Sequence, residues 1–207
     1  MLDDHFNKLQ SLVDQYHDNE VECGKALEPL VQYLPRSGRF IQCKGEFTHS
    51  DGRVDIIIIE ETGLGQMQHR YANVWELKSP RKALFTLRKG SKIFDPTDDL
   101  VQAESQLIQY VYHFTLTDDL RRYGVERDSV RPRGIIIGTS KSICRDASHA
   151  QEEFSSSDDF KWSLYTKALG SRRQFLYTPA GIQLMTWDEV LKMVEPRSVI
   201  HNELRQC

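Results

Sequence analysis

The chain has 207 residues, of which 39% are hydrophobic and 28% are charged, and its formal net charge at pH 7 is −3. A chain of this size and composition is expected to form one globular domain with an ordinary apolar core. The charge excludes a strongly basic protein that coats nucleic acid with its whole surface, and no apolar run is long enough to cross a membrane.

The N-terminus and the cysteines predict the cellular compartment. The first ten residues, MLDDHFNKLQ, contain acids and no apolar segment, so they do not resemble a signal peptide. The four cysteines are widely spaced and form no CxxC pair, which indicates reduced thiols rather than disulfides or a zinc site. We therefore expect a cytoplasmic protein.

The first half of the chain is expected to contain helices and then strands. In residues 1–35, apolar side chains recur at helical intervals, and Pro35 and Gly38 end this region. The pattern then has a period of two, which predicts three strands, at residues 39–47, 53–60 and 71–78. The Asp-Gly pair in the turn between the first two favours an antiparallel meander.

A long helix is expected after this meander, with Thr97 or Asp98 as its N-cap and an end near Phe114. Residues 131–138 predict a short buried strand. The remaining predictions are a helix within residues 139–159, a hairpin at residues 175–185 around the sequence Pro-Ala-Gly, and a closing helix at residues 187–194.

This order predicts a mixed α/β fold, an α+β arrangement in which helices pack on one mixed sheet. We expect a single domain. Residues 1–35 would form an N-terminal helical region packed on the core, and residues 36–207 would form the core with a small C-terminal hairpin and helix.

Three charged residues are notable because they lie in apolar strands. Asp55 is part of the sequence VDIIIIE, and Glu76 and Lys78 are part of VWELKSP. Alternation along a strand places Glu76 and Lys78 on one face, with Trp75 and Leu77 on the other. Burial of such groups is costly, so a function is one explanation of their presence.

The chemistry of these three groups suits a metal-dependent reaction on phosphate. Carboxylates on adjacent strands can hold a hard divalent cation such as Mg²⁺, for which Mn²⁺ can substitute. A lysine beside them can stabilise negative charge that develops during the reaction, and a bound metal ion can activate water. The alternative is a cross-strand salt bridge in which Lys78 pairs with Asp55 or Glu76 at the margin of the sheet.

The helices offer further candidates. Gln106 and Tyr110 are four positions apart and share one face of the long helix, where Gln102 and Gln109 extend a polar stripe. This stripe can form a wall of an active site, but by itself it favours an amphipathic helix with a solvated edge.

A third metal-binding carboxylate could come from the N-terminal helical region. Glu20 falls near the centre of the apolar stripe of the helical wheel and should point towards the sheet, whereas Glu28 lies at the border of that stripe. A plain acid favoured by the helix dipole explains Glu20 equally well.

A basic strip extends from Arg70 to Lys92, with seven basic residues and one acid. Such a strip on a mildly acidic protein suits a confined contact with DNA phosphates, although composition alone favours a solvated face. The residues expected to contact nucleic acid are Arg81, Lys82, Arg88, Lys89 and Tyr110.

The sequence GRVDIIIIE followed by VWELKSP resembles the D…(D/E)xK signature of the PD-(D/E)xK nucleases, and the spacing from Gln106 to Tyr110 matches the Q-x-x-x-Y motif of RecB-like members. Over residues 20–195 the chain is more specifically similar to the Shedu family of bacterial anti-phage nucleases. The segments that carry this resemblance occur in the same order, namely ELKSP with its basic continuation, DDLVQAESQLIQYVYHF, RPRGIIIGTS and IQLMTWDEVL.

The resemblance implies a restriction-endonuclease-like core, magnesium-dependent DNA cleavage in defence against phage, and self-assembly into a dimer or tetramer. Asp55 and Glu76 would be metal ligands, Lys78 the catalytic lysine and Gln106 an active-site residue. Shedu proteins often carry an additional N-terminal regulatory domain, whereas only about 35 residues precede the first predicted strand here.

Two other hypotheses stay open at this point. In the first, the chain is a nucleic-acid-binding or regulatory module with a degenerate nuclease core, which would bind DNA in a salt-sensitive way without metal-dependent turnover. In the second, the chain is purely structural, and the three charged residues form only a salt bridge.

Overall fold

The computed structural model describes residues 2–50, 52–64, 67–88, 93–142, 144–145 and 158–196. Within these ranges the chain forms a five-stranded mixed sheet, a sheet of three short strands and five α-helices. The predicted mixed α/β architecture is therefore confirmed.

The strands occupy eight segments: β1 (Arg39–His49), β2 (Gly52–Thr62), β3 (His69–Leu77), β4 (Phe85–Leu87), β5 (Phe94–Pro96), β6 (Val130–Ile136), β7 (Cys144–Arg145) and β8 (Gln183–Met185). The large sheet has the order β1-β2-β3-β6-β8, and the small sheet has the order β5-β4-β7. In the large sheet, β1, β2 and β3 pair antiparallel, whereas β6 pairs in parallel with both β3 and β8. Each of the first three strands begins and ends within two residues of its predicted position.

The helices occupy five segments: α1 (Leu2–Asp14), α2 (Glu20–Leu27), α3 (Asp98–Leu116), α4 (Asp158–Arg172) and α5 (Trp187–Val194). Local capping sets several of their ends. The Thr97 hydroxyl accepts a hydrogen bond from the Leu100 amide at the start of α3, and Thr186 and Glu189 form a capping box at the start of α5.

The large sheet is buried on both faces. One face packs against α3 and α4, through Val74 of β3 and Leu107 of α3 among others. The opposite face packs against α1, α2 and α5, through Trp75 and Leu77 of β3 and Trp187 of α5. Because neighbouring residues of β3 belong to different apolar cores, this strand follows the alternation expected of a central strand.

The hairpin predicted at residues 175–185 is wrong. The chain continues from α4 as a π-helical turn over Arg173–Tyr177, and only Gln183–Met185 is a strand, which pairs in parallel with β6. The Tyr177 side chain is buried in the core on the α3 side of the sheet. Tertiary packing therefore keeps the chain helical up to this residue, and the Pro-Ala-Gly sequence forms a turn after the helix rather than the tip of a hairpin.

The helix predicted within residues 139–159 falls mostly outside the described residues, which omit residue 143 and residues 146–157. The described part of that interval contains β7 and the beginning of α4. Among the described helices, none combines the length and the apolar character needed to span a bilayer.

Candidate active site

The antiparallel pairing of β2 and β3 brings Asp55 close to Glu76. Ile56 is paired with Trp75, so one further step of the same register places Asp55 opposite Glu76. The Leu77 amide donates a hydrogen bond of 2.8 Å to Asp55 Oδ2, which fixes the Asp55 carboxylate at the end of β3. Two carboxylates that lie 21 positions apart in the chain thus share one side of the sheet.

Lys78 is the centre of the site. Its ammonium donates hydrogen bonds to Glu76 Oε1 at 2.7 Å and to Gln106 Oε1 at 2.8 Å, and Glu20 Oε2 lies 3.8 Å from the same nitrogen. Only 5% of Lys78 is exposed. Of the residues predicted from the sequence, Glu76, Lys78, Gln106 and Glu20 are therefore brought together around one ammonium group.

The backbone of Lys78 is held from two directions. Its amide donates to the Ile136 carbonyl of β6 at 2.8 Å, and its carbonyl accepts from the Trp187 indole nitrogen of α5 at 2.8 Å. Next to it, Ser79 donates to an oxygen of Asp18 at 3.0 Å. Sequence reasoning missed Trp187 and Asp18 as positioning residues; the available signal for Trp187 was its place directly after the helix cap Thr186.

Glu76 is almost completely buried, with 1% of its surface exposed. One of its oxygens is bonded to Lys78, but Glu76 Oε2 has no hydrogen-bond partner among the described residues. A buried carboxylate oxygen without a partner is energetically costly, because it has lost its water and gained nothing in exchange. This atom is therefore free to bind a proton or a cation.

The site contains several acidic side chains and one cationic side chain, and this excess of acids changes the pKa values of the groups. Burial raises the pKa of Asp55 to about 6, despite the hydrogen bond from Leu77. Burial, together with the charge of Asp55, raises the pKa of Glu76 to about 8 although Lys78 acts in the opposite direction. Burial alone would lower the pKa of Lys78, but Glu76 and the other carboxylates outweigh it and raise that pKa.

Tyr110 lies one helical turn beyond Gln106 on α3 and is 8% exposed. The Gln106 side-chain amide lies 3.5 Å from the Tyr110 hydroxyl, in position to donate to it. Burial, followed by the charges of Glu76 and Asp55, raises the pKa of Tyr110 to about 12. The tyrosine is thus a neutral neighbour of the site, coupled to Lys78 through Gln106.

The carboxylates of the site fit a cation that takes part of its coordination shell from water. Within the described ranges, no group of three or more His, Cys, Asp or Glu side chains is arranged to hold a metal ion. The three carboxylates considered from the sequence therefore do not form a ready-made cluster, and Glu20 lies beside Lys78. Mg²⁺ is commonly held by one or two carboxylates with water and substrate phosphate, and Asp55 and Glu76 supply such a pair.

Glu28, the other candidate for a third metal-binding carboxylate, lies away from Lys78. Its carboxylate accepts a hydrogen bond of 3.3 Å from the Gly45 amide of β1 and is exposed. Of these two acids, Glu20 is the one that reaches the Lys78 ammonium.

Comparisons with known proteins give little further information. No family model matches the chain, and no curated protein matches it. Among solved structures, it is similar to the DNA modification-dependent restriction endonuclease AspBHI. The sequence identity is 12%, the TM-score is 0.39, and the match covers 92% of this chain and 35% of that one. This chain thus spans about a third of the length of that protein, and a likeness of this size assigns no activity.

Most of the candidate DNA-contacting cations have acidic partners. Lys82 lies 3.1 Å from Asp99, and Arg88 forms two hydrogen bonds, of 2.9 and 2.7 Å, with Asp95. Arg81 has a longer contact of 3.8 Å with Asp18, and its side chain is 70% exposed. Lys89 lies outside the described residues. Of the described members of this set, Arg81 is the most accessible to a phosphate.

Proposed function

We propose that this chain is a Mg²⁺-dependent endonuclease that hydrolyses phosphodiester bonds in DNA. The observation that carries the proposal is the buried Lys78 ammonium, held by Glu76 and Gln106 beside the Asp55 carboxylate. A purely structural salt bridge would need only one acid, and it does not account for the unpartnered second oxygen of Glu76. An excess of carboxylates around one lysine is a suitable arrangement for a divalent cation and a phosphate group.

In this proposal Asp55 and Glu76 hold the metal, and Mn²⁺ can replace Mg²⁺. A bound cation of this kind supplies a Lewis acid for the phosphate and lowers the pKa of bound water. Lys78 stabilises the negative charge that develops on the attacked phosphate. Gln106 keeps the Lys78 ammonium in place, because the ammonium donates a hydrogen bond to the Gln106 side chain.

The decisive experiment is cleavage of plasmid DNA by the purified protein with Mg²⁺, with Mn²⁺ and with EDTA. We expect cleavage with either metal, none with EDTA, and a loss of at least about a hundredfold in Lys78→Ala, since a charge that stabilises the transition state contributes this much. The matched control is Lys25→Ala, because Lys25 is also paired with a glutamate but lies on the exposed side of α2. Circular dichroism would show that both variants fold.

Undiminished cleavage by Lys78→Ala would mean that another site, or a contaminant, cuts the DNA. Metal binding gives an independent readout. Calorimetric titration with Mn²⁺ should show one site that Glu76→Gln weakens strongly and that Lys25→Ala leaves unchanged. A protein that binds DNA but neither Mn²⁺ nor Mg²⁺ would instead be the degenerate binding module.

The alternative of a DNA-binding module has less support from the described residues. Its basis in the sequence is the basic strip together with the absence of the regulatory domain that Shedu proteins often carry, and Lys82 and Arg88 of that strip are paired with acids. The role in defence against phage, the membership of the Shedu family, and assembly into a dimer or tetramer stay predictions from the sequence resemblance. Phage plating on cells that express the wild type or Lys78→Ala would test the first, and light scattering would test the last.

A further inference from the structure

A pocket lies beside the active site, between the turn that follows β1 and the C-terminal half of α3. Its volume is about 370 Å³. The side chains that matter for its chemistry are four rings and two uncharged polar groups, namely His49, Tyr110, Tyr112, His113, Gln109 and Thr117. The proposed nuclease mechanism uses none of these residues.

The rings of the pocket are held in place except for one. The His49 ring lies edge-on to Tyr110, with centroids 5.6 Å apart, and is 4.1 Å from the His113 ring. His113 Nε2 lies 2.9 Å from an oxygen of Asp119, which fixes its ring further. Tyr112, in contrast, is 66% exposed. The pocket therefore has rigid aromatic walls and one aromatic side chain that is available to a ligand.

One polar side chain of the pocket is suited to the edge of a planar ligand. Thr117 Oγ1 is closed off from the pocket, since it is buried, whereas Gln109 is accessible. The side chain of Gln109 is exposed, and among the described residues it makes no side-chain hydrogen bond. No lysine or arginine lies among the described lining residues, so the pocket is not built to hold a phosphate group.

The pocket and the active site share Tyr110. On the side of the active site, the Gln106 amide lies 3.5 Å from the Tyr110 hydroxyl, and on the other side the Tyr110 ring faces His49. Gln106 and Tyr110 are four positions apart on α3, a rise of about 6 Å. Because Gln106 also accepts a hydrogen bond of 2.8 Å from Lys78, a short series of contacts joins the pocket to the active site.

We propose that this pocket binds an unpaired base of the DNA substrate, so that the enzyme acts on single-stranded or locally opened DNA. This inference rests on the proposed nuclease function. An exposed aromatic side chain such as Tyr112 stacks on the face of a base, and an exposed amide such as that of Gln109 bonds to its edge. In a closed duplex both the faces and the pairing edge of a base are occupied, so a base can enter only after it leaves the helix.

The test compares three labelled oligonucleotides of the same sequence: a single strand, a matched duplex, and a duplex with three unpaired nucleotides in the middle. Binding is measured in EDTA, so that no cleavage interferes. We expect Tyr112→Ala to weaken binding of the single strand and the opened duplex by about tenfold and to leave the matched duplex unchanged. The control is Ile108→Ala, because Ile108 is 60% exposed on the same helix but does not line the pocket.

A second measurement locates the base. With 2-aminopurine in the unpaired position, stacking should quench its fluorescence on binding to the wild type and to Ile108→Ala, and much less on binding to Tyr112→Ala. Equal effects of Tyr112→Ala on all three oligonucleotides, or no effect on any, would overturn the inference.

The two proposals can fail separately. Unpaired-base binding that depends on Tyr112, in a protein that never cleaves DNA with Mg²⁺, would leave the pocket assignment intact and contradict the nuclease. Cleavage that depends on Lys78 but is equally fast on all three substrates, and insensitive to Tyr112→Ala, would leave the nuclease and contradict the pocket.

Discussion

Glu76 and Lys78 are two positions apart on one strand, and their side chains meet because alternation places both on the side of the sheet that α3 covers. With Asp55 and Glu20 nearby, three carboxylates surround one ammonium. The like charges repel one another, and burial prevents water from screening them. Ionisation of Asp55 and Glu76 is therefore unfavourable, and their pKa values are raised to about 6 and about 8.

These raised pKa values predict how stability depends on pH. Below about pH 3 both acids are protonated in the folded and in the unfolded chain. As the pH rises towards 8, the unfolded chain releases its protons first, and the free energy of unfolding falls. In EDTA we expect the melting temperature to be lower at pH 8 than at pH 5 by about 5 °C, and Mg²⁺ to recover much of this loss. Differential scanning calorimetry measures both effects.

The control for the pH prediction is the double variant Asp55→Asn, Glu76→Gln, which removes the two titrating groups at nearly constant volume. It should lose both the fall in melting temperature between pH 5 and 8 and the response to Mg²⁺. An unchanged pH slope in this variant would show that other groups are responsible.

Gln106 is a positioning residue in the proposed mechanism, because it holds the Lys78 ammonium. Gln106→Ala should lower the rate of DNA cleavage by about tenfold to a hundredfold, the range expected when a hydrogen bond to a charged group is lost. Gln102→Ala is the matched control, since Gln102 lies one turn earlier on α3 and is exposed. Equal rates in the two variants would argue against the role of Gln106, provided that both bind Mn²⁺ like the wild type.

At the scale of elements, the site is held at the place where β3 ends. The amide of Lys78 is bonded to β6 and its carbonyl to Trp187, the first residue of α5. Strands β3 and β6 also approach each other closely beside the site. A Cβ atom on Gly134 of β6 would lie 2.3 Å from the Trp75 ring of β3, so this approach requires glycine. The catalytic lysine of the proposal thus depends on an element that lies more than a hundred residues further along the chain.

The dependence on α5 predicts a difference between two neighbouring substitutions. Trp187→Phe removes the indole donor to Lys78, and Thr186→Ala removes the helix cap; we expect each to lower the free energy of unfolding by about 1–2 kcal/mol. Only Trp187→Phe should also slow cleavage, by about tenfold, because only it releases the Lys78 carbonyl. Urea unfolding and plasmid cleavage, measured on both variants, give the comparison; a similar slowing in Thr186→Ala would indicate a general loss of helix order instead.

At the scale of the whole molecule, charge is balanced rather than segregated. The net charge is −3, and the described basic residues of the strip between Arg70 and Lys92 have acidic partners at varied distances. A surface of this kind gives little non-specific attraction for DNA. Affinity should therefore depend on contacts near the active site and on the pocket beside it.

This balance predicts a weak dependence of DNA binding on salt, with one informative exception. Arg81→Gln should reduce the slope of log affinity against log salt by about one, because Arg81 is exposed and its contact with Asp18 is long. Arg88→Gln should leave the slope unchanged, because Arg88 is neutralised by two hydrogen bonds to Asp95. Fluorescence anisotropy at several salt concentrations measures the slopes, and a larger effect of Arg88→Gln would reverse the assignment.

Much of the fold follows from short-range chemistry. Apolar alternation located the first three strands to within two residues, and the start of α3 was placed at Thr97 or Asp98, of which Thr97 is the cap. Side-chain periodicity and capping involve only near neighbours, which is why the sequence shows them. The same alternation put Glu76 and Lys78 on one face. The candidate residues Asp55, Glu76 and Lys78 could therefore be chosen before their contacts were known, whereas the role of Gln106 was only implied by the family resemblance.

Long-range packing decided what short-range patterns leave open. The segment 175–185 has the composition of a hairpin, but the chain stays helical up to the buried Tyr177, and β8 pairs with a strand about 50 residues earlier. The pairing of Lys82 with Asp99 and the hydrogen bond from Trp187 to Lys78 likewise join distant parts of the chain. Such contacts depend on the three-dimensional path of the backbone, which a window of neighbouring residues does not contain.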